Sequence, residues 1–343
     1  MLPDVAATTP ARMGARPLPN VRLVKLPPAG PLAPHVARPL LVEAPVIRNV
    51  PVALDYLRLT LEAPGIAASA APGQFVMLTI AREGELAPVL PRPMAIYGVD
   101  RSAGTIDVVY RTVGSGTRRM AGWLPGERMT TVGPLGRGFT IPRNARSILV
   151  FGRGIGSCSI TTLVQEAAGL GVEVTVVLSA RDRDALIGAD TCCEAGASVI
   201  EVVDSDGSSD PARLARRLGH AGHMHDAYYV CGSHRMLELA ARLAHHPVRG
   251  STASHAEVQV SLEAHMACGL GYCHGCAAGR PGLPAETPLV CRDGPVFRWA
   301  RTERQDAALA DALATGSDAD AGTAATTGAA VAAGTASAVE TAP

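Results

Sequence analysis

The feature that most narrows what this chain can become is Cys268-Gly-Leu-Gly-Tyr-Cys273-His-Gly-Cys276, answered by Cys291 after fourteen intervening residues. Three thiols in one glycine-rich loop and a fourth on a nearby segment can close around one inorganic centre. The spacing C-x4-C-x2-C with a later cysteine is that of plant-type [2Fe-2S] sites, here with a shortened return. Gly269, Gly271 and Gly275 suit that chemistry, because glycine reaches positive φ at low cost and lets peptide N–H groups approach sulfur. Structural zinc is the rival. Zinc usually takes cysteines as two C-x2-C-like pairs, whereas here three thiols stand on one side and one on the other. His274 reads as a spacer, since Cys268, Cys273, Cys276 and Cys291 already complete a set of four and a two-histidine Rieske pattern does not match.

Thiolates that hold iron belong in a reducing compartment, so the eight cysteines are not read as four disulfides and a cytoplasmic location is expected. Cys158, Cys192, Cys193 and Cys231 default to buried apolar positions. No apolar run approaches the ~20 residues of a membrane span, and the N-terminus lacks the apolar core of a secretory signal. With 31 basic and 31 acidic side chains the net charge is zero, which calls for neither nucleic acid nor an anionic membrane as partner. Residues 1–40 carry nine prolines and one acid, and are expected to form a disordered arm. Residues 301–343 run to Ala, Gly, Thr, Ser and Asp, and beyond one helix over Glu303–Ala314 are expected to be disordered.

Between these ends the rhythm changes twice. Short β-rich runs, Tyr56–Leu61, Gln74–Ile80 and Thr105–Tyr110, are separated by Gly and Pro turns and predict an antiparallel barrel over 41–143. From Arg146 onward strand, turn and helix alternate. Ser147–Phe151, Val172–Leu178, Ser198–Val203 and Ala227–Val230 are the strands of a parallel sheet covered by helices, over 144–254. The cysteine loop makes a small C-terminal domain at 255–300. The fold class is thus all-β plus α/β.

Several stretches offer ligand chemistry. In Arg92-Pro-Met-Ala95 a guanidinium opens a strand, where it can pair with a diphosphate or serve as a surface salt-bridge residue. Gly114-Ser-Gly116-Thr117 leads into a short helix with Thr117 as its expected cap, a phosphate turn or simply a capped one. Gly152-Arg-Gly154-Ile-Gly156 lies between a strand and a helix, as a dinucleotide turn must, although such turns also serve tight packing. Cys231-Gly232 likewise leads from a strand into a helix.

Taken in order, these pieces resemble the iron-sulfur electron-transfer subunits of heterotetrameric dihydroorotate dehydrogenases, within the ferredoxin-reductase-like flavoproteins. Val258-Gln-Val-Ser-Leu-Glu263, the cysteine loop, Val290-Cys-Arg-Asp-Gly-Pro-Val-Phe297 and Gly133-Pro-Leu-Gly-Arg-Gly-Phe139 carry the resemblance, which runs from about Leu41 to Trp299. It implies FAD held by Arg92, Pro93, Met94, Ala95, Val109, Tyr110, Arg111, Gly116 and Thr117. A nicotinamide would lie at Gly152, Gly154, Gly156, Cys231 and Gly232. Ala95 departs from the Ser or Thr of relatives, Arg153 stands at a glycine position, and Ser159 replaces a proline. Arg153 can clamp a phosphate or crowd it out, and Arg181 and Arg183 among Asp182 and Asp184 leave NAD against NADP open. The implied partner is an FMN-containing dihydroorotate dehydrogenase catalytic subunit, two copies of each forming a heterotetramer. The docking face is expected over the cysteine loop and Asp293–Phe297, with Phe297 and Trp299 either anchoring the partner or packing beneath the loop. A reductase serving another redox complex, of hydrogenase, sulfide dehydrogenase or transhydrogenase type, and a non-catalytic metal module are the alternatives.

Overall fold

The computed structural model describes residues 22–24, 38–219, 225–244, 256–278 and 288–300. Most of the 1–40 arm and the whole 301–343 tail, with its expected helix, lie outside the described residues. Within the arm, the proline-free stretch Arg22–Val24 is not loose. It forms strand β1, paired antiparallel with Arg298–Ala300, where it covers an otherwise open sheet edge.

Two seven-stranded sheets organise the described chain. The first contains β2 (Leu40–Ala53), β3 (Tyr56–Glu62), β4 (Phe75–Leu78), β5 (Arg92–Ala95), β6 (Gly98–Asp100), β7 (Thr105–Arg111) and β8 (Arg128–Leu135). Their order is β5-β4-β8-β2-β3-β7-β6, all antiparallel. The edge strands β5 and β6 are consecutive in the chain. Between them the Ile96 N–H donates to Gln74 O at 3.0 Å and the Tyr97 N–H to Asp107 O at 2.8 Å, so the two edges meet and the sheet curls into a barrel. Alternate residues Leu59, Leu61, Ile106, Val108 and Tyr110 face its interior with Met120 and Trp123. Each such side chain contributes roughly 1.5–3 kcal/mol by leaving water.

The second sheet contains β9 (Ser147–Arg153), β10 (Glu173–Ala180), β11 (Ser198–Val203), β12 (Ala227–Cys231), β13 (Glu257–Ser261) and β14 (Val296–Ala300), together with β1. The order is β1-β14-β13-β12-β9-β10-β11, parallel from β13 to β11. Both faces are covered, which is why these strands read as continuous apolar runs. Ile148 and Val150 face Leu163 and Val164 of the helix Thr161–Gly169. Leu149 and Phe151 face Leu214 of the helix Pro211–Gly219 and Leu237 of the helix His234–Leu243.

β13 and β14 belong to this sheet, so the cysteine segment is an excursion from it and not a sheet of its own. The chain leaves at Ser261 and returns at Val296. Gly269 lies so close to the barrel that a methyl group there would meet Met77 Cγ at 2.5 Å. The linker between the sheets is pinned as well: Gln259 Nε2 donates to Thr140 O at 2.7 Å and the Tyr229 hydroxyl donates to the same oxygen at 2.8 Å.

Candidate functional site

Strand alternation sorts the barrel residues into two sets. Met94 and Tyr110 point into the barrel core, and the Tyr110 hydroxyl donates to Asn49 Oδ1 at 2.9 Å while burial pushes it up to about 12. Ala95 and Val109 point the other way, into a small apolar cluster with Tyr56, Tyr97, Cys158 and Ile187 where the two sheets meet. Pro93 pairs with Met77, and Arg111 forms a 3.0 Å exposed ion pair with Asp55. Of the expected flavin-facing side chains, therefore, Ala95 and Val109 reach the junction and Tyr110 does not.

Arg92 opens β5, and its guanidinium is laid over the start of the helix Ser115–Met120. A methyl group on Gly116 would lie 2.6 Å from Nη2 and 2.7 Å from Nε. Nη1 donates to Leu90 O at 2.6 Å, while Nε and Nη2 have no partner among the described residues. Two free donors of a planar fork beside a helix start that has no side-chain cap fit a diphosphate. The cap differs from expectation. Gly114 is the N-cap, and the Thr117 hydroxyl, one turn in, accepts from the N–H groups of Val113 and Gly114 at 3.0 and 3.1 Å.

On the parallel sheet, β9 and β12 are neighbours at the point where strand order reverses, and both glycine turns follow their carboxyl ends. A methyl group on Gly156 would meet Cys231 O at 2.6 Å, one on Gly152 would meet Ser157, and one on Gly232 would meet Arg153 Cβ at 2.8 Å. Gly154, at φ 54°, faces open space. Thus Gly152, Gly156 and Gly232 let the turns pack on each other, and Gly154 leaves room for a ligand. Arg153 is engaged within the protein at this edge. Its guanidinium is engaged by Ser179 Oγ at 2.7 Å and by both oxygens of Asp204 at 2.6 and 3.1 Å. The ion pair, with the Ser209 hydroxyl, draws Asp204 down to about 2. Arg183 is paired with Glu201.

The four cysteines of the loop are brought together as two pairs. Cys276 Sγ and Cys291 Sγ lie 3.1 Å apart, and Cys273 joins Cys268 through its backbone N–H, which donates to Cys268 Sγ. Peptide N–H groups converge on the sulfurs: Gly271 on Cys291 at 3.1 Å, Leu270 and Cys273 on Cys268 at 3.4 and 3.5 Å, and Cys291 on Cys276 at 3.4 Å. Burial opposes ionisation of Cys268, but the N–H groups of Cys273 and Leu270 outweigh it and bring the thiol down to about 6. Burial, with Cys276 alongside, pushes Cys291 up to about 12.

Among the described residues no three ligating side chains converge as a cage for one ion. Two thiol pairs sharing inward N–H donors fit a two-iron centre, which takes two ligands per iron. Positive φ falls on Gly269 at 70°, Gly271 at 80° and His274 at 56°, so His274, not Gly275, makes the third left-handed turn. Phe297 is fully buried in the core beneath the loop, and Trp299 packs against that core, which leaves the exposed Leu270 and Tyr272 as the loop's apolar surface.

Comparison with known proteins agrees with this arrangement. Residues 263–302 match the family described as the iron-sulfur cluster binding domain of dihydroorotate dehydrogenase B. The dihydroorotate dehydrogenase B (NAD(+)) electron transfer subunit of Desulforamulus reducens is 35% identical over 263 residues, 74% of this chain and 95% of the relative. Its counterpart in Geobacillus thermodenitrificans is 34% identical over 258 residues, again 74% and 95%. Among solved structures, a chain of an NADH-dependent reduced ferredoxin-NADP oxidoreductase superposes with a TM-score of 0.61 at 22% identity, covering 80% of this chain and 98% of that one, a likeness of fold. With its two sheets, paired cysteines and nearly full-length similarity to these relatives, the chain belongs to the family of dihydroorotate dehydrogenase B electron transfer subunits.

Proposed function

We propose that this chain carries electrons between an FMN-containing dihydroorotate dehydrogenase catalytic subunit and NAD, through one FAD and one [2Fe-2S] centre. The single observation that carries this is the continuity of the three sites. The nucleotide edge at Gly154 and Cys231, the barrel face at Ala95 and Val109 and the cysteine excursion from β13 all adjoin one junction between the sheets. FAD, when bound, converts the two-electron chemistry of a nicotinamide into the one-electron chemistry of an iron-sulfur centre.

The rest is placement by the chain's own residues. Arg92, with Gly116 and the turn at Thr117, holds the diphosphate of FAD. Pro93, Met94, Tyr110 and Arg111 shape the barrel wall, while Ala95 and Val109 give the ring an apolar seat without the hydroxyl of relatives. Gly152, Gly154, Gly156, Cys231 and Gly232 hold the nicotinamide nucleotide. Cys268, Cys273, Cys276 and Cys291 hold the iron. The folded units assigned are a barrel over 41–143, a nucleotide-binding unit over 144–254 and a cluster segment over 255–300. The exposed Leu270 and Tyr272 beside the cluster cysteines form the docking face, and no helix of the described residues is long and apolar enough to cross a membrane.

Reconstitution tests this. Purified without oxygen, the chain alone should pass electrons from NADH to artificial acceptors and leave dihydroorotate untouched. Mixed with the catalytic subunit of the same organism, it should couple dihydroorotate oxidation to NAD reduction. Failure of coupling at full FAD and iron occupancy would assign it to a different redox complex.

A further inference from the structure

Where the barrel meets the helices of the parallel sheet there is a cavity of about 590 Å³ that no role above absorbs. Its barrel wall is Ala70, Ala71 and Pro72, between the helix Pro64–Ser69 and β4, with Val99 of β6 and Arg101 just beyond it. Its other wall is one side of the helix Thr161–Gly169, together with Thr191, Glu194 and Ala195 at the helix Ala189–Glu194. None of the residues assigned to the flavin, the nucleotide or the iron lines it. The volume is within the roughly 300–1,000 Å³ of small-molecule sites.

The most buried polar group of the lining is Thr162. It is 8% exposed, and its hydroxyl is buried without a hydrogen-bond partner among the described residues. A buried hydroxyl left unpaired costs stability, so one that lines a cavity is accounted for by an occupant that pairs with it. With it stand the exposed Gln165, Glu166 and Glu194, whose side chains make no hydrogen bond or ion pair among the described residues. The nearby cations are committed elsewhere. Arg101 donates through Nη2 to Ala70 O at 2.9 Å, and Arg58, which feels the charge of Glu194, is paired with Asp107. Partial burial raises the pKa of Glu166, and only the charge of Arg101 opposes it. The lining thus sets two carboxylates against one guanidinium, which disfavours phosphate esters, and it has no aromatic side chain on which a base could stack. The rest of its surface is short and apolar, from Ala71 and Pro72 to Val99 and Ala195.

We propose that this cavity is a binding site for a small organic cation, an alkylamine or alkylguanidine. The N–H donors of its head meet the carboxylates of Glu166 and Glu194 and the Thr162 hydroxyl, and its aliphatic body lies along the alanines and Pro72. The occupant touches the barrel and the parallel-sheet helices at once. The hydroxyls of Thr191, in the cavity wall, and Tyr97 share a hydrogen bond of 2.7 Å, and Thr161, next to Thr162, donates to Tyr97 O. Those bonds connect the cavity to the apolar cluster that Ala95 and Val109 enter. The site stands whether or not that cluster seats a flavin.

Calorimetric titration of the full-length protein, purified without oxygen, with agmatine and with butylamine tests this. At low ionic strength at least one of them should bind once per chain with a dissociation constant below about 1 mM, and succinate should give no heat. Glu194→Gln and Glu166→Gln should each weaken that binding about tenfold, as loss of a charge-assisted contact does. Glu173→Gln, at an exposed carboxylate that opens β10 outside the cavity, should leave it unchanged. Thr162→Val should weaken it about three- to tenfold, yet without ligand it should melt no lower than the native protein, because valine removes an unpaired hydroxyl at nearly constant shape. Binding of neither cation up to about 10 mM overturns the proposal, and so does binding that Glu173→Gln weakens as much as Glu194→Gln does. A lower melting temperature in ligand-free Thr162→Val would show that the hydroxyl serves the fold, which overturns it as well.

Discussion

At Arg92 and Gly116 the ligand cradle is a strand start laid upon a helix start, the strand held by pairing with β4 and the turn by the Thr117 hydroxyl. At Cys268–Cys276 the donors hang on a loop in which N–H groups point at sulfur instead of at carbonyl oxygen. The first region needs no ligand to keep its form. The second directs its backbone hydrogen bonds to side chains whose natural charge balance is a metal, so its order and its iron content should rise and fall together. One chain thus contains a preformed site and a site completed by its ligand, and the difference can be broken by substitutions that touch each in turn.

The largest effect is expected at the cluster. Cys276→Ser removes one thiol of the closest pair, which also receives the N–H of Cys291. Iron and acid-labile sulfide should fall from about two of each per chain to none. The loop should become open to protease while the barrel retains FAD. Cys158→Ser, at a buried thiol far from the loop in sequence, should retain the iron. If Cys276→Ser releases FAD as readily as iron, the two sites are not separately built and the contrast fails.

Arg92→Ala strikes the preformed side. Loss of a charge-assisted contact worth roughly 1.5–3 kcal/mol should weaken FAD by about ten- to a hundredfold. Iron content should stay constant, since among the described residues no hydrogen bond or ion pair joins Arg92 to the cysteine loop. Equilibrium titration of the apoprotein with FAD measures this, and an unchanged affinity would mean that the diphosphate lies elsewhere.

The sequence showed these two regions unequally. Ser198–Val203 appears as a strand with the expected bounds, and Tyr56–Leu61 and Thr105–Tyr110 each gain one residue, because period-two patterns and uninterrupted apolar runs are local signals. The cysteine spacing was legible for the same reason. Barrel closure through Ile96 and Tyr97 was not, since it depends on two carbonyls distant in sequence, at Gln74 and Asp107. The direction of each side chain in Arg92–Ala95 and Val109–Arg111 was hidden as well: a motif names residues, whereas alternation against a core decides which of them face the ligand. β1 was concealed by the prolines around it.

Arg153 is where local and distant signals part most sharply, and it yields the smallest expected effect. In sequence it is a cation inside a phosphate turn; in the fold it ties the ends of β9, β10 and the loop after β11 through Ser179 and Asp204. The folded pKa of Asp204, about 2, is below its ordinary value of 3.8, so the pair's stabilisation is complete above that value and is lost as pH falls through about 2. With side chains 23% and 35% exposed, solvent screening limits the pair to ~0.5–1 kcal/mol. Asp204→Asn removes the competing anion and frees the guanidinium at the nucleotide edge, where a 2′-phosphate can take it. The ratio of NADPH to NADH efficiency in reducing bound FAD should then rise about three- to tenfold, in line with roughly 1 kcal/mol. Adding Arg153→Ala should cancel the gain. A ratio unmoved in Asp204→Asn would leave Arg153 as a tie between strand ends only, and nicotinamide choice would belong to Arg181 and its neighbours.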